Sequence, residues 1–200
     1  MAYFVTGATG FIGRFLVSNL LKRKGQVHVL VRKDSTKKLS QIGEAMGWDM
    51  KRIIPVTGDL SKPKLGLAAA QITSLKGKIQ HFFHLAAIYD LTADADSQKL
   101  ANIGGTKYAL ELAAVIKAGC FHHTSSIAAA GLYPGVFRED MFDEAEGLKD
   151  PYLKTKHESE GLVRKQSAVP YRIYRPSMVV GHSKTGEIDK IDGPYYLFTL

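Results

Sequence analysis

The chain has 200 residues, 45% of them apolar and 23% charged, with a formal net charge of +8. That length suits one domain with a full core, and the single cysteine, Cys120, excludes an intrachain disulfide and fits a reducing, cytoplasmic setting. No apolar run reaches the ~18 residues of a membrane span, no secretory leader precedes the first strand, and the scattered basic residues lack the interleaved aromatics of a nucleic-acid groove, so +8 points to phosphate-bearing small molecules, with peripheral contact to a membrane surface left open.

Tyr3 to Thr6 is a short apolar strand. Glycines follow at Gly7, Gly10 and Gly13, then the helical spacing Phe11, Ile12, Phe15, Leu16, Leu20, Leu21. Strand, glycine turn and helix form the context in which a glycine motif binds phosphate. Backbone N–H groups approach a pyrophosphate, and the helix N-terminus supplies partial positive charge. The spacing is GxxGxxG, one residue longer than the GxGxxG fingerprint. A side chain at Gly7 or Gly10 would hold the phosphates off, and Gly13 lets the helix pack on the strand. The loop, with Thr9, Phe11, Ile12 and Arg14 beside the glycines, is expected to line a dinucleotide.

Gln26 to Arg32 is a second strand, rich in β-branched residues and closed by charge. Residues 35–47 have a helical pattern, Arg52 to Thr57 is a third strand, and 64–75 is a helix. Ile79 to Leu85 is a fourth strand and 95–117 a long helix. Cys120 to Ser125 is a fifth strand, 132–149 an irregular acidic connection. Asp150-Pro151 opens a helix to about Gln166, with Asp as N-cap and Pro at the first helical position. Tyr171 to Tyr174 is a sixth strand. Alternating short apolar strands and helices predict an α/β, Rossmann-type, doubly wound parallel sheet with helices on both faces. Ligands on such sheets bind beyond the carboxyl ends of the strands. The chain stops inside the apolar run GPYYLFTL. Residues 1–200 are therefore expected to be the N-terminal, dinucleotide-binding part of a longer protein whose substrate side is incomplete here.

The end of the second strand bears on the cofactor. NAD sites place an acid near it for the ribose 2′-OH, and NADP sites place a base near the 2′-phosphate. Here Val31-Arg32-Lys33 stands there, and Arg14 could reach the same phosphate, so NADPH is expected. Asp34 is the alternative, as a ligand of a ribose hydroxyl. Asp59-Leu60 after the third strand reads equally as adenine contacts or as a turn aspartate with its neighbour. Ala86 and Ala87 after the fourth strand are small enough for close approach of the nucleotide.

Tyr152 and Lys156 lie four apart and share one face of a helix. A tyrosine serves as a proton donor near neutral pH when its anion is stabilised, and an ammonium beside it does that. The first helical turn adds the macrodipole. Ser125-Ser126 follows the fifth strand, where a hydroxyl could hold a substrate carbonyl beside the tyrosine. Lys156 would also hold the nicotinamide ribose. No His, Cys or Asp cluster has zinc spacing, so no metal is expected. His84 reads as a structural hydrogen-bonder, and His157 as a solvated residue or a substrate contact.

TGATGFIG, GDL, HLAA, the Asn102 of NIGGT, TSS, YLKTK and RPSMVVG together resemble the extended short-chain dehydrogenase/reductase superfamily over essentially the whole chain. The resemblance implies Ser126 as the catalytic serine, with Ser125 as the alternative. It implies Asn102 as a cofactor-side or proton-relay residue, and Pro176 to Val179 as contacts of the nicotinamide amide. Ala130 stands where many epimerases of this superfamily have a tyrosine. HLAAIYD, SSIAAAGL, FREDMFDEAE, PYLKTKHESE and IYRPSMVVGHSKTGEIDKIDGPYY are similar, more closely, to the N-terminal reductase region of bacterial two-domain fatty acyl-CoA reductases. That implies reduction of acyl-CoA by NADPH to fatty aldehyde or alcohol, with long-chain acyl-CoA or fatty aldehyde as substrate. A carbonyl reductase or a sugar-nucleotide epimerase or dehydratase is the alternative enzyme, and an NADP-sensing regulator the alternative without chemistry.

Overall fold

The computed structural model describes residues 1–87, 99–188 and 195. Its strands are β1 Ala2–Thr6, β2 Gln26–Val31, β3 Ile53–Thr57, β4 His81–His84, β5 Cys120–Thr124 and β6 Tyr171–Tyr174. They form one parallel sheet in the order β3-β2-β1-β4-β5-β6. The register sets Phe4 opposite His28 on one side and Phe82 on the other, and Phe82 opposite Phe121. The connecting helices are α1 Phe11–Leu21, α2 Thr36–Ala45, α3 Ala69–Leu75, α4 Gly105–Val115 and α5 Pro151–Gln166. The chain winds outward from β1 to β3, returns to β4 beside β1, and winds outward the other way. The doubly wound sheet expected from the alternation of elements is the one observed.

Two apolar layers sandwich the sheet. On one face Phe4, Phe82 and Phe121 pack with Leu112, Ala113 and Ile116 of α4 and Val163 of α5. On the other, Tyr3, Val5, Val27 and Val29 pack with Val17 and Leu20 of α1 and Leu39 of α2. A strand buried on both faces reads as a continuous apolar run, which is why YFVT carries no alternation.

Two helices differ from expectation. Over 64–75 the helix begins only at Ala69, where Gln71 Oε1 accepts the Ala68 N–H at 2.9 Å. Before it, Lys64 and Leu65 adopt left-handed backbone angles (φ 51° and 57°). That turn drives Leu65 wholly into the core and lets its carbonyl accept the Asp59 N–H at 2.7 Å. The long helix over 95–117 is a π-helical turn, Lys99–Gly104, followed by α4, and its expected start at 95–98 lies outside the described residues. So do all residues of the terminal apolar run GPYYLFTL except Tyr195. Among the described residues no helix is long and apolar enough to cross a membrane.

Candidate active site

The parallel sheet brings the carboxyl ends of all six strands to one edge, and the turn after β1 lies at its centre. Gly7 has φ +73°, and a Cβ there would stand 2.7 Å from Ala86 N. A Cβ on Gly13 would stand 2.0 Å from Gly7 O, so α1 approaches the turn as closely as glycine permits. Gly10 is different. Its φ of −80° suits any residue, and a Cβ would meet only Gly7 O, at an ordinary 3.4 Å. Among the described residues nothing requires glycine at this N-cap. Its bare Cα faces outward beside the free N–H groups of a helix with no acid in its first turn. A pyrophosphate fits that cradle. Thr9 and Phe11 are half-buried along it, and Ile12 is exposed.

Arg32 directly follows β2, exposed, and its guanidinium has no hydrogen bond or ion pair among the described residues. Asp34 lies in the 3₁₀ turn Lys33–Ser35 that begins there. Asp59 follows β3. Its Oδ1 accepts both the Ser61 N–H (2.9 Å) and the Ser61 hydroxyl (2.7 Å). These bonds, backbone first, hold the Asp59 carboxyl below its usual range, with the charges of Lys62 and Arg32 adding to them. Of the two readings of Asp59, the turn role accounts for Oδ1. Leu60 is half-buried against the core, Ala86 is half-buried and Ala87 exposed. Arg14, read as able to reach the same phosphate as Arg32, places Nη2 3.1 Å from Glu187 Oε1, with its guanidinium carbon about 5 Å above the rings of Phe11 and Phe15. The reason is local. Positions 11, 14 and 15 share one helix face, and the segment after β6 brings the acid to it.

The proton-transfer side is built by α5 against the end of β5. Asp150 Oδ1 accepts the N–H groups of Tyr152 (2.8 Å) and Leu153 (3.1 Å), fixing Tyr152 in the first turn. One turn on, Lys156 is 5% exposed and its Nζ donates to Thr124 O at 3.0 Å. Burial pushes the Lys156 ammonium down to about 8, and the carboxylate of Glu160 partly offsets this. The Ser125 hydroxyl donates to Glu160 Oε2 at 2.7 Å, so its proton is already used. Ser126 Oγ accepts the Ala128 N–H at 3.1 Å, which occupies a lone pair and leaves the hydroxyl proton for another acceptor. The two serines thus differ in the way the proposed role requires, and the difference favours Ser126. Asn102, buried in the π-helical turn, donates from Nδ2 to Thr155 Oγ1 at 3.3 Å, and Thr155 donates to Tyr152 O at 3.1 Å. Pro176 accepts the Ile127 N–H through its carbonyl at 3.2 Å, and Val179 is half-exposed. A cavity of about 640 Å³ opens beside Tyr152, lined also by Leu132, Gly147, Lys149, Asp150 and Leu153.

His157 is half-buried and does not line this cavity. Its Nδ1–H donates to Ala129 O at 2.9 Å, and its ring stacks on Phe142 at 4.2 Å. The residue that sequence reasoning missed is Glu160. Its side chain is fully buried, Oε1 lies 2.6 Å from Arg175 Nη2 and 2.8 Å from Arg164 Nε, and Arg175 also donates to Met141 O at 2.7 Å. Position 160 continues the i, i+4 face of Tyr152 and Lys156, which was its signal. Among the described residues no group of His, Cys, Asp or Glu could hold a metal ion.

The family model for male sterility proteins, an NAD-binding family, matches residues 5–200. A linear gramicidin synthase of Brevibacillus parabrevis is 33% identical over 96% of this chain, which covers 4% of that much larger protein. The terminal R domain from the myxalamid PKS-NRPS biosynthetic pathway is 31% identical with a TM-score of 0.81, over 92% of this chain and 51% of that one. UDP-glucuronic acid 4-epimerase from Bacillus cereus, solved with NAD, is 28% identical with a TM-score of 0.71, over 90% and 58%. The chain thus spans about half the length of these solved relatives.

Proposed function

The chain belongs to the male sterility family of NAD-binding proteins, within the extended short-chain dehydrogenase/reductase superfamily, and from there we propose that it carries the cofactor site and proton donor of an NADPH-dependent reductase of acyl thioesters. The observation behind this reading is the set of ties between α5 and the end of β5. They hold α5, which carries Tyr152 and Lys156, against the carboxyl end of β5, after which Ser126 follows, and the glycine turn follows the carboxyl end of β1 in the same parallel sheet. The resemblance to fatty acyl-CoA reductases names the acyl group.

Gly7, Gly10 and Gly13 would seat the pyrophosphate, Arg32 the 2′-phosphate, Lys156 the nicotinamide ribose, and Pro176 to Val179 the amide. The cofactor, when bound, supplies the hydride. The Ser126 hydroxyl donates to the thioester oxygen, a bond that strengthens as that oxygen takes on negative charge. Tyr152 passes its phenolic proton to the same oxygen, giving a hemithioacetal, and Lys156 stabilises the phenolate left behind. Collapse of the hemithioacetal returns the hydroxyl proton to the Tyr152 phenolate, breaks the C–S bond and releases aldehyde and thiolate, which takes a proton from water. Leu132 and Leu153, lining the cavity beside Tyr152, offer the acyl chain an apolar wall.

The experiment follows NADPH oxidation with palmitoyl-CoA, free fatty aldehyde and a UDP-sugar, with product analysis. Thioester consumption with aldehyde or alcohol formed is the expected result. Aldehyde reduction with the thioester untouched would move the protein to the carbonyl reductases, and sugar epimerisation without net NADPH loss to the epimerases.

Arg32 sets the cofactor preference. Arg32→Asp replaces a charge-assisted bond, worth roughly 1.5–3 kcal/mol, by repulsion. The KM for NADPH rises by about tenfold to a hundredfold, with little change for NADH. Equal kcat/KM for both cofactors in the unmutated enzyme would refute this assignment.

A further inference from the structure

Beneath the site runs a buried line of hydrogen bonds that the chemistry above leaves unassigned. Ala86 N lies 3.3 Å from Thr6 Oγ1, Thr6 Oγ1 2.8 Å from His84 Nδ1, His84 Nε2 3.2 Å from Thr106 Oγ1, and Thr106 Oγ1 2.7 Å from Asn102 O. Thr6, His84, Thr106 and Asn102 are each 2% exposed or less. Elementary valence fixes the direction of every bond. Asn102 O can only accept, so the Thr106 hydroxyl proton points to it. Thr106 Oγ1 must then accept from His84, which places the ring proton on Nε2. A ring with one proton leaves Nδ1 bare, so it accepts from the Thr6 hydroxyl, whose oxygen accepts the Ala86 N–H. Each proton has one acceptor and the line runs unbroken from Ala86 to Asn102. A second ring proton would face the Thr6 hydroxyl and leave that hydroxyl's own proton without an acceptor. Burial, helped by the charge of Lys156, pushes the His84 imidazolium down to about 3, in keeping with a neutral ring.

The two ends of this line matter. Ala86 is the residue against which Gly7 packs, so that end is the dinucleotide turn. Asn102 is the residue whose amide bonds to Thr155 of α5, so the other end holds the helix of Tyr152 and Lys156. We propose that His84, with Thr106, is a positioning residue for this site: its Nε2–H imidazole ties the dinucleotide turn to the Asn102 carbonyl and sets where α5 stands relative to the cofactor. The proposal rests on the reductase reading for its kinetic consequence, but its structural content stands alone.

The test has two arms on the whole protein. Imidazole ¹⁵N NMR should show His84 as the Nε2–H tautomer, neutral and unchanged from pH 8 to pH 5. A Nδ1–H tautomer or a titrating ring would overturn the assignment even where variants fold poorly. In the kinetic arm, His84→Leu and Thr106→Val should each lower kcat by about tenfold to a hundredfold, the scale on which misplaced catalytic groups cost rate, with the KM for NADPH within about threefold. His84→Gln, whose amide donates toward Thr106 from the same place, should recover most of the loss. The double variant should be no slower than the slower single one, because the two residues form one line. A lowered Tm with kcat unchanged, or additive losses, would reduce His84 to a packing residue. Failure of the unmutated protein to reduce any thioester or aldehyde sinks the reductase reading and leaves the tautomer result to judge this one.

Discussion

Tyr152→Phe is expected to bind NADPH as the unmutated protein does and to turn over ~10²–10⁴-fold more slowly, the usual contribution of a positioned general acid. The ring stays, so the first turn of α5 and its Asp150 cap stay; only the transferable proton goes. Cofactor binding by fluorescence and kcat from NADPH oxidation separate the two effects, and full activity in the variant would mean that another group supplies the proton. The pH profile carries the same argument to Lys156. Its ammonium is pushed down to about 8 by burial, so kcat should fall as pH rises through that value and the phenolate loses its stabilising charge. Stability should move the other way. The unfolded lysine keeps its proton up to its ordinary value near 10.5, so between about 8 and 10.5 the unfolded chain binds more protons than the folded one. The contribution of this residue then makes folding more favourable as pH rises. Activity and Tm drifting in opposite directions above pH 8 would mark Lys156 as the titrating group; a parallel fall would point to general alkaline unfolding.

Glu160→Ala is expected to be the most destabilising single change at the site, by about 3–5 kcal/mol, the cost of removing one partner from a buried ion pair. Arg175 and Arg164 would face an empty space, and the Ser125 hydroxyl would lose its acceptor. For a chain of this size the loss corresponds to a Tm lower by roughly 6–20 °C. Burial alone would raise the Glu160 carboxyl. The hydrogen bonds from Arg175, Ser125 and Arg164, with the charge of Arg175, overcome it and hold the group below its usual range. Its stabilising effect is therefore fully present above the ordinary carboxylate value and is lost as pH falls through the lower folded one. The urea midpoints of variant and unmutated protein should differ widely at pH 7 and converge in acid. Equal midpoints at pH 7 would show that the pair only balances its own desolvation.

Much of this site was legible because its signals are short-range. The glycine turn sits between a strand and a helix that any reading of apolar spacing finds. Asp150-Pro151 announces a helix start, and Tyr152 and Lys156 then fall on one face by period alone. What stayed hidden is set by crossovers. Nothing near Ser125 or Ser126 says which hydroxyl is already committed, because the committing acid is 35 residues away on α5. Arg14 gave no hint of Glu187, which the chain brings back after β6. The late start of α3 was missed for a different reason. The left-handed turn at Lys64 and Leu65 costs backbone strain that only the burial of Leu65 explains, and burial is a property of the assembled core.

The placement of β1 between β2 and β4 has a consequence for the chain as it leaves the ribosome. Once Thr57 has emerged, β1, β2 and β3 can pair, but the second edge of β1 stays open until His81–His84 arrives. At roughly 5–20 residues per second that interval lasts about one to five seconds. Throughout it, a strand reading Tyr3-Phe4-Val5-Thr6 presents unpaired backbone groups and the uncovered ring of Phe4, the features that template sheet-to-sheet association. The central position that later covers both edges of β1 leaves one of them, for those seconds, an adhesive edge of the nascent chain.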